Sequence, residues 1–452
     1  MLFLCLFASQ SGLIAVSPVL ARVAEDLGVS TALAGQLRTI TGLVAGTSAL
    51  LLARVSLRVG VARQLLLGAT LLALGSLMSA TAPTFALLAL AQAPIGVAVG
   101  VLTSASTVAA AEWVAPELRA RVLSWALIGQ PAAWIVGMPL VGFFGERSWR
   151  LAWLALPLAA ALVAGGAVAS RRGEPPVGTP PVRLRVVLAD SGLARWLTAE
   201  LLANTAWAGT LVYAGALVVE SYGASAWLTG VLLAVAATSY IAGNRSVRRL
   251  PGAEWRRYLI AFGLALAVLI ALFGALRSSL SISALLFAAA AYVAGARTML
   301  SSALGLSMPS AVRPALMGAR AATMQFGYFA GSILGGVALA VGGYTALGVV
   351  LGAVFATAAA AIVSLPRRFP ARAVDEPMQP TGPTPDELNS KGARRGPRDR
   401  SYGDGALRTS SMTRRVRDPK METPRCGRIR GVARAVRHSL VRAPREMSEA
   451  CM

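Results

Sequence analysis

Apolar runs of about 20 residues recur along the chain from Met1 to about residue 365, each long enough to cross the roughly 30 Å hydrocarbon core of a bilayer. A chain built this way has few options, because in hydrocarbon every backbone N–H and C=O must be satisfied within the structure itself. Runs of this length meet that condition as α-helices. The composition agrees: 56% of the 452 residues are hydrophobic, 14% are charged, and the mean hydropathy is +0.62. A soluble chain of this length needs far more polar surface. The sequence therefore describes an all-α, polytopic membrane protein.

The rare residues narrow the field further. His438 is the only histidine and lies in the polar C-terminal segment, so the apolar body offers neither a His metal ligand nor a His proton relay. Cys5 lies in the first apolar run and Cys426 and Cys451 in the tail, without metal-ligand spacing or the makings of a disulfide framework. No Gly-rich phosphate loop, nucleophile elbow or paired-carboxylate signature occurs. These features point away from an enzyme, a cofactor and a metal centre. The net charge of +23 is explained by topology rather than by nucleic acid: residues 1–366 hold 23 Arg against 10 acids, and residues 367–452 hold 20 basic residues against 10 acids.

Punctuation by Arg, Pro and Gly predicts twelve transmembrane helices. The first six fall at about 2–21, 33–53, 64–82, 85–111, 120–143 and 149–170, and the second six at about 196–219, 226–244, 257–276, 280–304, 317–341 and 343–365. Their connections divide unevenly in charge. One side holds seventeen arginines, Arg313 and Arg320 among them, and the other holds Arg22, Arg38, Arg147, Arg150 and Arg277. By the positive-inside rule both termini are cytoplasmic. The long connection 171–195, with Glu174-Pro175-Pro176 and Pro180-Pro181, separates an N-terminal bundle (1–170) from a C-terminal one (196–366). The halves echo each other. At an offset of 191, Thr47-Ser48 with Arg54 and Arg58 align with Thr238-Ser239, Arg245 and Arg249; near the fifth and eleventh spans, Gly137-x4-Gly142 is echoed by Gly331-x4-Gly336. Two six-helix pseudo-repeat bundles are expected. Residues 367–452, rich in Pro, Gly, Ser and Arg, read as a disordered basic cytoplasmic tail whose Arg clusters suit anionic lipid.

A charge placed in hydrocarbon costs several kcal/mol, so a retained one needs a reason. Of the ten acids in the body only Glu200 falls clearly inside a span, roughly 6 Å below the interface. It reads either as a carboxyl that gains and loses a proton, or as an interfacial Glu paired with a nearby Arg. Arg297, at comparable depth, reads as the matching cation, as a site for an anionic substrate group, or as a helix-end Arg reaching the lipid headgroups. Gln10, Gln92, Asn204, Trp207, Tyr213 and Gln325 supply polar or amphipathic positions that serve either a small ligand or inter-helix contacts.

The spans, the repeat and several short motifs resemble the major facilitator superfamily, and within it the bacterial drug- and sugar-efflux branch. The motifs are Ser17-Pro18 through Glu25-Asp26, Gly28 and Ser30 in the first external loop, Ser148-Trp149-Arg150 before the sixth helix, and Gln325-Phe-Gly327 with Gly331, Gly335 and Gly336 in the eleventh. The resemblance covers about residues 1–366. It implies a central cavity lined by the first, fourth, seventh and tenth helices, across which Glu200 and Arg297 face each other. In the cytoplasmic loop after the second helix, the family's Gly-x-x-x-Asp-Arg-x-Gly reads here Ala53, Leu57, Arg58 and Gly60, followed by Arg63. The acid is missing, and Glu112 pairing with Arg54 or Arg58 is its expected stand-in, with Arg245 and Arg249 as the repeat's equivalents. The antiporter motif of the fifth helix survives as Pro139-x-x-Gly142, with Gly137 one position out of register; with Gly331, Gly335 and Gly336 it permits close helix approach. The family's membrane Arg of the fourth helix is replaced by Gln92.

The resemblance implies a secondary active transporter, functional as a monomer, that exports a small molecule by alternating access coupled to proton antiport. The alternatives are a facilitator-type uniporter or importer, and a non-transporting receptor that reuses the fold.

Overall fold

The computed structural model describes residues 1–55, 60–114, 118–170, 188–247, 250, 254–309 and 312–365, which fall within one compact unit, Met1–Met378. Most of the expected 171–195 linker and the whole expected tail lie outside the described residues.

Helical segments follow the expected spans. Helix α1 (Leu2–Ile14) passes through a 3-10 turn at Ser17–Val19, set by Pro18, into a short helix at Leu20–Asp26. It is followed by α2 (Leu37–Val55), α3 (Val61–Thr81), α4 (Phe85–Glu112) and α5 (Gly129–Arg147). Helix α6 runs from Trp149–Trp153 through a π-helical turn at Leu154–Leu158, around Pro157, into Ala159–Ala169. Then come α7 (Ser191–Tyr222), α8 (Ala226–Ser246), α9 (Trp255–Ala275) and α10 (Leu280–Leu306).

The last run, Arg313–Val363, is continuous in hydrogen bonding but leaves helical geometry at Gly342 and Gly343, where Gly343 has φ 63°. That left-handed value is open to glycine at little cost. The chain doubles back there. Gly209 of α7 lies against both Gly331 and Leu351, which a straight helix would hold about 30 Å apart. We therefore number α11 over 313–341 and α12 over 344–363. Among the described residues, ten runs are long and apolar enough to cross a membrane; the last of them, Ala315–Val363, contains this reversal. The 19-residue α2 packs among them.

Four of the helices that begin at the Arg-poor end share one device. Thr84, Ser148, Ser225 and Ser279 each accept a first-turn backbone N–H, starting α4, α6, α8 and α10. The outward faces are apolar: Leu67, Leu90, Leu162, Val268 and Leu285 are each more than half exposed. Such a surface would aggregate in water and is matched to lipid.

Close packing uses small residues, as bilayer helices require. Gly142 of α5 abuts the Ala226 carbonyl at the start of α8, and Gly230 of α8 abuts the Met138 carbonyl, leaving no room for a Cβ on either side. The same neighbours recur six helices along the chain. Helices α2 and α4 pack together as do α8 and α10, and α1 and α5 as do α7 and α11. Helices α1–α6 meet α7–α12 mainly through α5 against α8 and α2 against α11.

Candidate functional site

Glu200 lies nine residues into α7, about 13 Å along the helix from its start, and is 1% exposed. Burial on this scale demands counter-charge, and α10 and α11 provide it. Arg297 Nη2 donates to Glu200 Oε1 at 2.8 Å, and Arg320 Nε donates to Oε2 at 3.0 Å. Arg320 also donates through Nη2 to the Thr298 carbonyl at 3.2 Å, which ties α11 to α10. One carboxylate thus faces two guanidiniums from two helices.

The pairing of Glu200 with Arg297 is the one expected from their depths. Arg320 is a correction. Expected among the cytoplasmic connections, it lies instead on α11 as the second partner of Glu200. Its place inside the 317–341 run was the available signal; three residues from the run's edge, it reads equally well as a snorkelling end residue.

Asn204 and Trp207 join this cluster. Asn204 Nδ2 donates to Thr323 Oγ1 at 2.9 Å, and that hydroxyl donates to the Arg320 carbonyl. Trp207 stacks between Tyr240 and Phe287, with ring centroids 6.3 and 6.2 Å away. A narrow cleft of about 10 Å³, lined by Asn204, Trp207, Arg297, Thr298 and apolar residues that include Leu266 of α9 and Phe355 of α12, lies beside them. It is far smaller than the roughly 300–1,000 Å³ of drug-sized ligand sites.

The other expected polar positions are placed elsewhere. Gln10 of α1 accepts from Trp134 Nε1 of α5 at 3.1 Å. Gln92 of α4 is fully buried, accepting from Thr41 of α2 at 3.2 Å and donating to Ser79 of α3 and the Leu88 carbonyl. Tyr213 donates to the Ser332 carbonyl at 2.9 Å near the Arg-poor end. Gln325 is buried on α11, its Oε1 without a hydrogen-bond partner.

Arg63 and Arg245 are exposed, near the start of α3 and the end of α8, and neither joins an ion pair among the described residues. Arg58 and Arg249 lie outside the described residues, as do the side chains of Arg54 and Glu112, so the expected Glu112 network does too. The packing glycines sit at helix contacts: Gly137 against Ile14 and Leu156, Gly331 against Thr205 and Gly209, and Gly335 and Gly336 against Tyr213. Pro139 lies inside α5, where its Cα faces Gly230.

At the Arg-poor end, helices α1–α6 and α7–α12 are joined by polar contacts. Gln36 Nε2 donates to the Ser332 carbonyl at 2.9 Å, Thr31 donates to Glu220, and the Trp227 backbone N–H donates to Glu146 at 3.1 Å. Two of the quoted motifs meet there: Trp149 Nε1 and Arg150 Nη1 donate to Asp26 Oδ2 at 2.9 and 2.7 Å. Arg38, assigned by sequence to this end's connections, is a second correction. It lies on α2, 1% exposed, with Nη1 donating to the Gly12 carbonyl at 3.2 Å.

The family model described as "Major Facilitator Superfamily" matches residues 2–290. The purine ribonucleoside efflux pump NepI of Escherichia coli O127:H6 is 32% identical over 133 residues, which is 29% of this chain; the chain spans 34% of that relative's length. The K12-strain NepI is 31% identical over the same extent. Among solved structures, a mutant of the nucleoside transporter NupG superposes with a TM-score of 0.65 at 12% identity, covering 80% of this chain and 98% of that one. A D-xylose-proton symporter gives 0.63 at 14% identity, covering 80% and 97%. The human organic anion transporter MFSD10 gives 0.60 at 16% identity, also covering 80% and 97%.

Proposed function

The chain belongs to the Major Facilitator Superfamily and is a transporter, and from that premise we propose that it exports a small organic solute across the cell inner membrane by alternating access, coupled to proton antiport. On this reading the twelve helices cross the membrane as two bundles, 1–170 and 196–366, with both termini and the 171–195 linker in the cytoplasm. The protein works as a monomer. The export direction is supported by the local similarity to a purine ribonucleoside efflux pump.

The observation that carries the mechanism is the burial of Glu200 between Arg297 and Arg320. A proton and two guanidiniums compete for one carboxylate. With Glu200 ionised, the three helices are drawn together. A protonated Glu200 leaves two buried cations without a counter-charge, so α7, α10 and α11 must part or admit water. Proton binding is thereby tied to rearrangement at the Arg-rich end, while the contacts of Gln36, Thr31 and Glu146 hold the Arg-poor end shut. Release of those contacts as the cluster closes is one alternating-access step.

Inside-out vesicles from cells with and without the protein test this, with radiolabelled purine ribonucleosides and small organic anions offered under an imposed pH gradient. Uptake that needs the protein and collapses with the gradient is expected. Protein-dependent uptake indifferent to the gradient would establish uniport instead. A deletion strain that accumulates no tested solute above wild type, with vesicles equally silent, would overturn the export reading.

A further inference from the structure

Arg38 is a cation that the cluster around Glu200 does not use. It is 1% exposed, and the ion pairs among the described residues involve Asp26 and Glu200, not Arg38. The Gly12 carbonyl, at the end of the first part of α1, accounts for Nη1 only. Nη2 is buried without a hydrogen-bond partner. Across from it on α11, Tyr328 is 3% exposed, its hydroxyl is likewise unpartnered, and it lies close enough to interact electrostatically with the guanidinium. The backbones of the two helices nearly touch one turn further along α2, where Gly42 abuts the Gln325 carbonyl, the Phe329 nitrogen and Tyr328 Cβ.

Leaving a guanidinium half-satisfied in a low-dielectric interior is expensive, and a neutral neighbour cannot supply the missing charge. Two convergent donors, one of them cationic, match the oxygens of a carboxylate or phosphate. We propose that Arg38 and Tyr328 form a binding site for such an anionic group, held between α1, α2 and α11. Gln325, on the same face of α11 as Tyr328 and one turn before it, presents an unpartnered buried Oε1. That acceptor suits an N–H or O–H on the solute that carries the anionic group. Because α2 and α11 belong to opposite halves of the molecule, the bound group bridges them. It does so beneath the contact in which Gln36 holds Ser332. Access requires α2 and α11 to separate, so occupancy and opening are linked.

This site rests on the transport reading, yet binding is measured without flux, so the two fail separately. The full chain, purified in detergent in a low-salt buffer, is titrated calorimetrically with sodium benzoate, adenosine 5′-monophosphate, inorganic phosphate and, as the uncharged comparison, adenosine. Benzoate or the nucleotide should bind at least tenfold more tightly than adenosine. Arg38→Gln should weaken that binding at least tenfold, Tyr328→Phe several-fold, and Arg38→Lys less than Arg38→Gln. Phosphate binding as tightly as the organic anions assigns the site to a free anion; weaker phosphate assigns it to a group on a larger solute. Either result supports the site. The proposal is overturned if none of the three anions binds the wild type, or if both Tyr328→Phe and the better-folded of the two Arg38 variants bind them as the wild type does. Anion binding without protein-dependent flux would instead overturn only the transport reading.

Discussion

Replacing Glu200 by Gln should destabilise the folded protein more than replacing either of its arginines. The carboxylate accepts one charge-assisted bond from Arg297 at 2.8 Å and another from Arg320 at 3.0 Å. Such bonds contribute about 1.5–3 kcal/mol each, and removing one partner of a buried pair costs about 3–5 kcal/mol. Gln keeps an acceptor oxygen but no charge, so two guanidiniums are left facing one neutral amide. Arg297→Gln differs in sign of charge. It leaves Glu200 with Arg320, a balanced pair whose arginine is 16% exposed and can draw on water. Its cost should fall nearer 1–2 kcal/mol, in the range of an ordinary lost hydrogen bond.

At about 2.1 cal/mol/K per residue, a bundle of about 350 residues converts 3–5 kcal/mol into a fall in Tm of roughly 4–7 °C. Intrinsic tryptophan fluorescence during thermal unfolding in detergent reads this directly. The double variant Glu200→Gln with Arg297→Gln should recover part of the loss, because it removes one of the two stranded cations. Equal melting of Glu200→Gln and wild type, or an Arg297→Gln variant less stable than Glu200→Gln, would refute the idea that this carboxylate neutralises both arginines.

Three further outcomes are expected. Gly343→Ala should lower stability by about 1–3 kcal/mol, since Gly343 sits at φ 63°, ψ −159°, a region essentially confined to glycine, with open space around it, so the cost is that of the backbone alone; Gly166→Ala, also in open space but within α6, should show no such loss in the same melting assay. Truncation after residue 370 should leave membrane insertion and flux intact, as judged by yield and vesicle uptake, because the tail's composition cannot contribute a packed core. Reporter tags at either terminus or within 171–195 should be protected from external reagents while tags beside Gly28 or Gly223 react; a reactive terminus would break the topology.

Much of this fold was legible because the bilayer sets the length of its helices. Apolar runs end where the hydrocarbon ends, so reading Arg, Pro and Gly as punctuation brought helix boundaries close to those observed, including the Gly342-Gly343 reversal inside an otherwise unbroken 51-residue run. Pairing Glu200 with Arg297 was legible for a related reason: a charge deep in an apolar run must find its opposite, and depth follows from counting residues at 1.5 Å each. Arg320 and Arg38 escaped this logic. Both stand close to the ends of their apolar runs, where an arginine ordinarily reaches the headgroups. Whether it can do so depends on the neighbouring helices. Thr298 of α10 holds one of them inward, and the broken end of α1 at Gly12 holds the other. Those contacts join residues 22 and 26 positions apart, and no periodicity within one helix encodes them.

These two arginines change what the interior can carry. Among the described residues the buried charged side chains are Arg38, Glu200 and Arg297, and Arg320 is nearly so. Three guanidiniums therefore stand against one carboxylate: Arg297 and Arg320 share Glu200, while Arg38 lies at another level of the molecule without a counter-charge. Were the cargo neutral, the excess would be pure cost, and selection for stability would favour an apolar residue at position 38, since replacing buried ions by well-packed apolar groups is often neutral or stabilising. An anionic cargo reverses that balance, because it brings the missing charge with it. Arg38 then acts where the Arg-poor end opens, and the Glu200 cluster acts where the Arg-rich end opens. A solute crossing between them finds a partly compensated cation at each level. An Arg38→Met variant should accordingly melt at or above the wild-type temperature while losing anion binding. A variant that both melts several degrees lower and keeps its anion affinity would show that Arg38 serves the packing of α1 alone.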